Sequence, residues 1–160
     1  MRMNIVICEN QCRLHPFLLS KMGRFVRLFT LREAPDICDI IVVDEQFYPP
    51  VHVKYPAASL YLGSEENFRH IMTSIGGIPP FESLVFCGMQ AKNSVLFSSV
   101  SHESAMLCLQ RSVVFQNREL EVGEYPVSYH ENGSLYDNLV CSFINVCDRM
   151  CKHEEMLQRR

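Results

Sequence analysis

Asp39-Ile40-Ile41-Val42-Val43-Asp44 is the stretch on which the fold turns. Its four β-branched residues run unbroken between two acids, so both sides of the pleat are apolar. A strand of that kind belongs inside a parallel sheet with a layer of structure on each face. Asn4-Ile5-Val6-Ile7-Cys8 repeats the pattern near the N-terminus. Parallel neighbours need long crossover connections, so helices are expected between such strands.

Working outward, residues 14–22 predict the first helix: Pro16 falls in its first turn, where a missing N–H costs little, and Gly23 stands as its stop. Residues 25–30 read as a second strand and Pro35 as a turn. Beyond Asp44, Pro49-Pro50 and Pro56 break the chain, which makes residues 46–57 a loop or a poorly paired edge. Residues 59–63 form the next strand, and Ser64 caps a helix whose first turn carries Glu65 and Glu66 at its positive end. Gly76-Gly77 stops that helix, and residues 84–87 make a fifth strand. Strands alternating with helices define an α/β class.

The character of the chain changes near Gln90. Residues 95–100, 106–115 and 120–129 are β-rich runs separated by Ser101-His102-Glu103-Ser104 and Gln116-Asn117-Arg118-Glu119, the pattern of an antiparallel meander. Ser134 and Asp137 mark a helix start, and Leu139, Val140, Phe143, Cys147, Met150 and Cys151 then recur at spacings of three and four on one face. Residues 152–160 are charged and read as a fraying end. The expected fold is therefore α/β: a Rossmann-like, partly parallel sheet with an antiparallel β-meander extension and a C-terminal helix. Residues 1–160 read as a single domain, with a Rossmann-like half over 1–89 and the antiparallel strands plus helix over 90–160. No linker composition separates the halves.

Composition bounds the function. With 48% hydrophobic residues, ten Phe and six Tyr in 160 residues, the chain can bury a core, which excludes disorder and low-complexity roles. A net charge of −3 excludes a bulk polycation for nucleic acid. That small total hides an asymmetry: residues 1–33 carry +4, residues 34–89 carry −5 and residues 90–160 carry −2. No apolar run approaches the roughly 20 residues that span a bilayer, and residues 1–8, with a short apolar run and no small-residue cleavage site, read as a poor signal peptide, so a cytoplasmic location is expected. Eight cysteines are many, but Cys8, Cys38, Cys87, Cys108 and Cys141 lie within apolar runs, where a reduced thiol packs as a small hydrophobe.

In open α/β sheets ligands bind beyond the carboxyl ends of the strands. Those ends supply Glu9, Asn10, Asp44, Glu45, Ser64 and Cys87 as candidate ligand-binding residues. The helix start at Ser64–Asn67 offers N–H groups to an anion, although Glu65 and Glu66 already occupy its positive end. Both standard phosphate cradles are missing: Glu9-Asn10-Gln11-Cys12-Arg13 stands where G-x-G-x-x-G would follow the first strand, and no G-x-x-x-x-G-K-[ST] occurs. Cys8-x3-Cys12-x2-His15 and Cys147-x3-Cys151-x-His153 each offer three metal ligands without the tight C-x2-C knuckle; core packing is the better reading of both, and the first leaves metal binding open. Cys87 is the best-placed thiol for nucleophilic chemistry, with His102 in the following turn as a candidate base. Ser94, Ser98, Ser99, Ser101 and Ser104 form no G-x-S-x-G elbow. Arg13, Lys21, Arg24, Arg27 and Arg32 with Phe17, Phe25 and Phe29 suggest a basic, aromatic patch, which reads equally well as a solvated face over core phenylalanines.

The order of strand-end residues resembles that of a response-regulator receiver domain. There, acids follow the first strand, an Asp ends the third, a Ser or Thr ends the fourth and a Lys ends the fifth. Glu9, Asp44, Ser64 and Lys92 fall on those places. This chain departs from the pattern in having one acid after the first strand, compressed spacings and a Lys92 well past Cys87. The resemblance implies at most a degenerate, non-phosphorylated relative.

The functional expectation is a non-catalytic cytosolic regulatory or protein-interaction module, with the Pro-rich loops Tyr48-Pro49-Pro50 and Ile78-Pro79-Pro80-Phe81 adding contact surface. Its partner would be a protein or a second copy, since a basic start and an acidic middle favour head-to-tail association. A small-molecule ligand is compatible with this reading; nucleic acid, membrane, metal and cofactor are not called for. The alternative is a small cytosolic enzyme working around Glu9, Asp44, Glu45 and Cys87.

Overall fold

The computed structural model describes residues 2–50 and 52–158. Its first half is a five-stranded parallel sheet built from β1 (Met3–Cys8), β2 (Val26–Thr30), β3 (Ile37–Val43), β4 (Ala57–Gly63) and β5 (Phe81–Phe86). The strands lie in the order β2-β1-β3-β4-β5, every neighbouring pair parallel. The chain thus starts near the middle, steps to one side and then crosses to the other. The reversal puts a topological switch point between the ends of β1 and β3.

Helix α1 (Leu14–Met22) connects β1 to β2, a single 3-10 turn (Leu31–Glu33) precedes β3, and α2 (Glu65–Ile75) connects β4 to β5. Between β3 and β4 the described residues of the proline-broken crossover segment 44–56 form no helix. The doubly apolar strands behave as their sequences demand. Ile5, Ile7, Ile40, Val42, Leu60 and Leu62 face a core shared with Leu14 and Leu18 of α1. Val6, Cys8, Ile41, Val43 and Tyr61 face the opposite core, closed by Ile71 of α2 and by Phe47 and Tyr55 of the crossover. Side chains alternate across a strand, so one apolar run feeds two cores.

Beyond residue 90, β6 (Val95–Val100), β7 (Ser104–Leu109) and β10 (Gly123–Ser128) make an antiparallel sheet in the order β10-β7-β6. The antiparallel extension is present, with more pieces than its three sequence runs. The run 106–115 is divided by Gln110-Arg111-Ser112, and its end becomes β8 (Val113–Phe115), paired with β9 (Arg118–Leu120) in a separate two-stranded ribbon. Arg118 and Glu119, read as turn residues, are strand. The turn itself is Gln116-Asn117, both left-handed with φ of 51° and 61°, the backbone of a two-residue hairpin whose twist matches its strands.

The C-terminal helix α3 (Leu135–Gln158) starts where Ser134 and Asp137 cap each other. It packs against α1 and against the antiparallel sheet. It does not fray from Lys152 but continues to Gln158. Lys152 pairs with Asp148 one turn back, and its ammonium lies 3.7 Å from the centre of the Phe25 ring. Arg118 donates to the carbonyls of Met150 and Cys151 in the same stretch. Residues 159 and 160 lie outside the described residues. No disulfide joins the cysteines among the described residues, and no helix there is long and apolar enough to cross a membrane.

Candidate functional site at the carboxyl edge of the parallel sheet

Because β1, β3, β4 and β5 are parallel, their carboxyl ends bring Glu9, Asn10, Asp44, Glu45, Ser64 and Cys87 to one edge of the sheet. Most of these side chains are bound to the protein itself. The Glu9 carboxylate accepts the N–H groups of Arg13, Leu14 and His15 at 3.2, 2.7 and 3.0 Å, capping α1, which has no capping side chain at the residue just before it. Asn10 accepts the Tyr48 N–H at 2.6 Å and donates to the Tyr48 carbonyl at 3.4 Å, which ties the crossover segment to the end of β1. Ser64 accepts the Asn67 N–H at 3.1 Å as the cap of α2. The Asn67 amide in turn donates to the carbonyls of Asp44 and Glu45 at 2.7 and 3.3 Å. Cys87 is 3% exposed, and burial pushes its thiol up to about 12.

Arg13 organises the edge, although nothing local in the sequence marks it out. Its guanidinium donates to Asp44 at 2.7 Å, to both carboxylate oxygens of Asp137 and to the Ser134 hydroxyl at 3.4 Å. Asp44 and Asp137 are each 3% exposed. Asp44 is therefore no solvated strand-end acid, as its place after an apolar run suggests, but a buried carboxylate with one cationic partner. Burial raises its pKa, an effect that the Arg13 charge only partly offsets. Glu45 is raised as well, first by desolvation and then by the neighbouring Asp44 charge. Desolvation pulls Arg13 down, but its bond to Asp137 and the charges of Asp137, Asp44 and Glu45 more than reverse this, leaving it above its ordinary value. One fork of hydrogen bonds so locks the end of β3 and the start of α3 to the start of α1.

The remaining sequence candidates do not converge. Cys8 is fully buried while Cys12, four residues on, is exposed. Cys147 is buried in the core, Cys151 is half-buried and His153 is exposed. Among the described residues no group of three or more His, Cys, Asp or Glu is arranged to hold a metal ion. His102 pairs with Glu131 beyond the far end of β6, whereas Cys87 bridges to Val95 at its near end, so the two are a strand length apart. Lys92 pairs with Glu65 at 3.5 Å, and the cation facing Asp44 is Arg13. The basic patch is likewise dispersed: Arg13 is in the buried fork, Phe17 is a core residue, and Phe25 lies under Lys152.

A crevice of about 810 Å³ opens beside the switch point, lined by the ends of β1 and β2 and by the crossover segment. Glu9 and Asn10 line it; Asp44, Glu45, Ser64 and Cys87 do not. A groove of about 390 Å³ lies between Tyr48, His52 and His70. Compared with known protein families, with curated proteins and with solved structures, the chain has no match.

Proposed function

We propose that the chain is a non-catalytic regulatory module of the cytosol that acts by binding a protein partner or a second copy of itself. The observation that carries this reading is the commitment of the carboxyl edge to internal bonds. Glu9 and Ser64 cap helices, Asn10 holds a loop, and Asp44 is engaged by Arg13. A general acid or base must be free to meet a substrate proton, and these groups already serve the fold. An enzyme working around Glu9, Asp44, Glu45 and Cys87 would need Cys87 as a thiolate, and a buried thiol held near 12 is a poor source of one. Reduced, dispersed cysteines support the cytosolic part of the proposal. The charge asymmetry, +4 over residues 1–33 against −5 over residues 34–89, supports contact between copies.

Sedimentation of the purified chain over a wide concentration range, at low and high salt, tests the self-association branch. Reversible association weakened by salt is the expected result. A strictly monomeric chain that turns over an activated ester or phosphate substrate, and loses that turnover in a folded Cys87→Ala variant, overturns the proposal in favour of the enzyme.

A further inference from the structure

The crevice beside the switch point is lined by few of the carboxyl-edge groups, Glu9 and Asn10 alone among them. Its volume of about 810 Å³ falls in the range of small-molecule sites, and it lies beyond the carboxyl ends of β1 and β2, next to the β1/β3 switch point at which sheets of this topology receive ligands. Its floor is apolar: Ile7 and Phe47 are almost fully buried, with Val53 beside them. Phe47 and Val53 belong to the crossover segment, which also contributes Pro50 and Lys54 to the lining and is tied to the end of β1 by the pair of hydrogen bonds between Asn10 and Tyr48.

The charges around this apolar floor are unequally occupied. Two carboxylates line the crevice, and both are engaged: Glu9 accepts three backbone N–H groups of α1, and Glu33 accepts the Thr30 hydroxyl at 3.1 Å. The basic side chains are more open. The Arg32 guanidinium and the His15 imidazole have no hydrogen-bond or ion-pair partner among the described residues. Lys54 has only a solvent-exposed pair with Asp36 at 3.1 Å, of the kind that contributes little. A planar guanidinium without a partner, next to an apolar floor, suits a carboxylate or similar anion attached to a hydrocarbon or aromatic body.

We propose that this crevice binds a small organic anion with an apolar body, its charge held by Arg32 with Lys54 and His15, and its body lying on Ile7, Phe47 and Val53. The site stands apart from partner binding, so its success or failure leaves the module reading intact.

Anilinonaphthalene sulfonate, an aromatic anion, is the probe. Titration of the native chain, followed by fluorescence, is expected to show saturable binding at one site. The Arg32→Gln variant, whose exposed side chain makes no hydrogen bond, ion pair or ring contact among the described residues, is expected to keep the wild-type far-ultraviolet spectrum and melting curve. Its affinity for the probe should fall about tenfold, the loss of one charge-assisted hydrogen bond. Decanoate should displace the probe while decanol, of the same length and neutral, displaces it far less. Equal probe affinity in wild type and Arg32→Gln, equal displacement by decanoate and decanol, or no saturable binding at all would each overturn the proposal.

Discussion

Arg13 and Asp137 stand 124 residues apart in the chain and meet in a two-pronged ion pair at the N-terminal end of α3. The same guanidinium reaches Asp44 at the end of β3. Arg13 thereby compensates two carboxylates that are each 3% exposed, and fastens the C-terminal helix to the edge of the parallel sheet.

Replacing Arg13 by Met leaves both carboxylates buried without a counter-charge. Breaking a buried pair from one side costs about 3–5 kcal/mol, and the lower end applies because the Arg13 side chain keeps 36% of its exposure. Urea unfolding should show a lower midpoint with an unchanged slope. A loss below about 0.5 kcal/mol, the level of an ordinary surface substitution, would mean that the fork is ornamental.

Asp44 carries a pH signature. Burial lifts its pKa above the ordinary carboxylate value near 3.8, so the folded chain holds its proton more tightly than the unfolded chain. The stability from this group is therefore fully present below the ordinary carboxylate range and is lost as the pH rises through the raised folded value. Asp44→Asn removes that loss while keeping an oxygen that accepts from Arg13. Unfolding free energies of the two proteins, measured across acidic to neutral pH, should diverge in favour of Asn as the pH rises. Parallel curves would refute the assignment.

The cysteines should divide by reactivity. Cys12 is exposed, whereas Cys38 and Cys87 are buried with thiols pushed up to about 12, and Cys141 with one pushed up to about 11. Alkylation runs through the thiolate. Brief treatment of the native chain with iodoacetamide, read by peptide mass spectrometry, should modify Cys12 and spare these three. Labelling of Cys87 as fast as Cys12 would revive it as a nucleophile.

At the β8–β9 hairpin, Asn117 holds a φ of 61°. Asn117→Val forces a β-branched residue into the left-handed region and should cost about 1–2 kcal/mol. Asn117→Gly, free of that strain, should stay within about 0.5 kcal/mol of wild type. Thermal melts of the three proteins check the ordering, and a Val variant as stable as Gly would show that the turn relaxes to another type.

What was legible in the sequence was local. The runs around Ile5–Ile7 and Ile40–Val43 announced strands buried on both faces, since a doubly apolar strand has nowhere else to go. The bounds of α1, the Ser64 cap and the Ser134–Asp137 start could be read because caps and stops act within one turn of helix. The turn at Gln116-Asn117 was legible only as a four-residue polar stretch that takes in Arg118 and Glu119: without the Asn-Gly pair of a two-residue hairpin, nothing local marks where the strand resumes, and the ribbon merges into the neighbouring runs.

The candidate site was half legible. Sequence placed Glu9, Asn10, Asp44, Glu45, Ser64 and Cys87 at strand ends, and a parallel sheet necessarily gathers such ends on one edge. Whether each group faces water, a helix terminus or a counter-charge depends on which distant element docks there. Only the tertiary structure decided that α3 would bring Asp137 to Arg13, so that one guanidinium bridges Asp137 and the buried Asp44, and that the crossover segment would help line a crevice at the ends of β1 and β2. Periodicity records the face that a residue presents; burial and charge pairing are set by what arrives on that face from elsewhere in the chain.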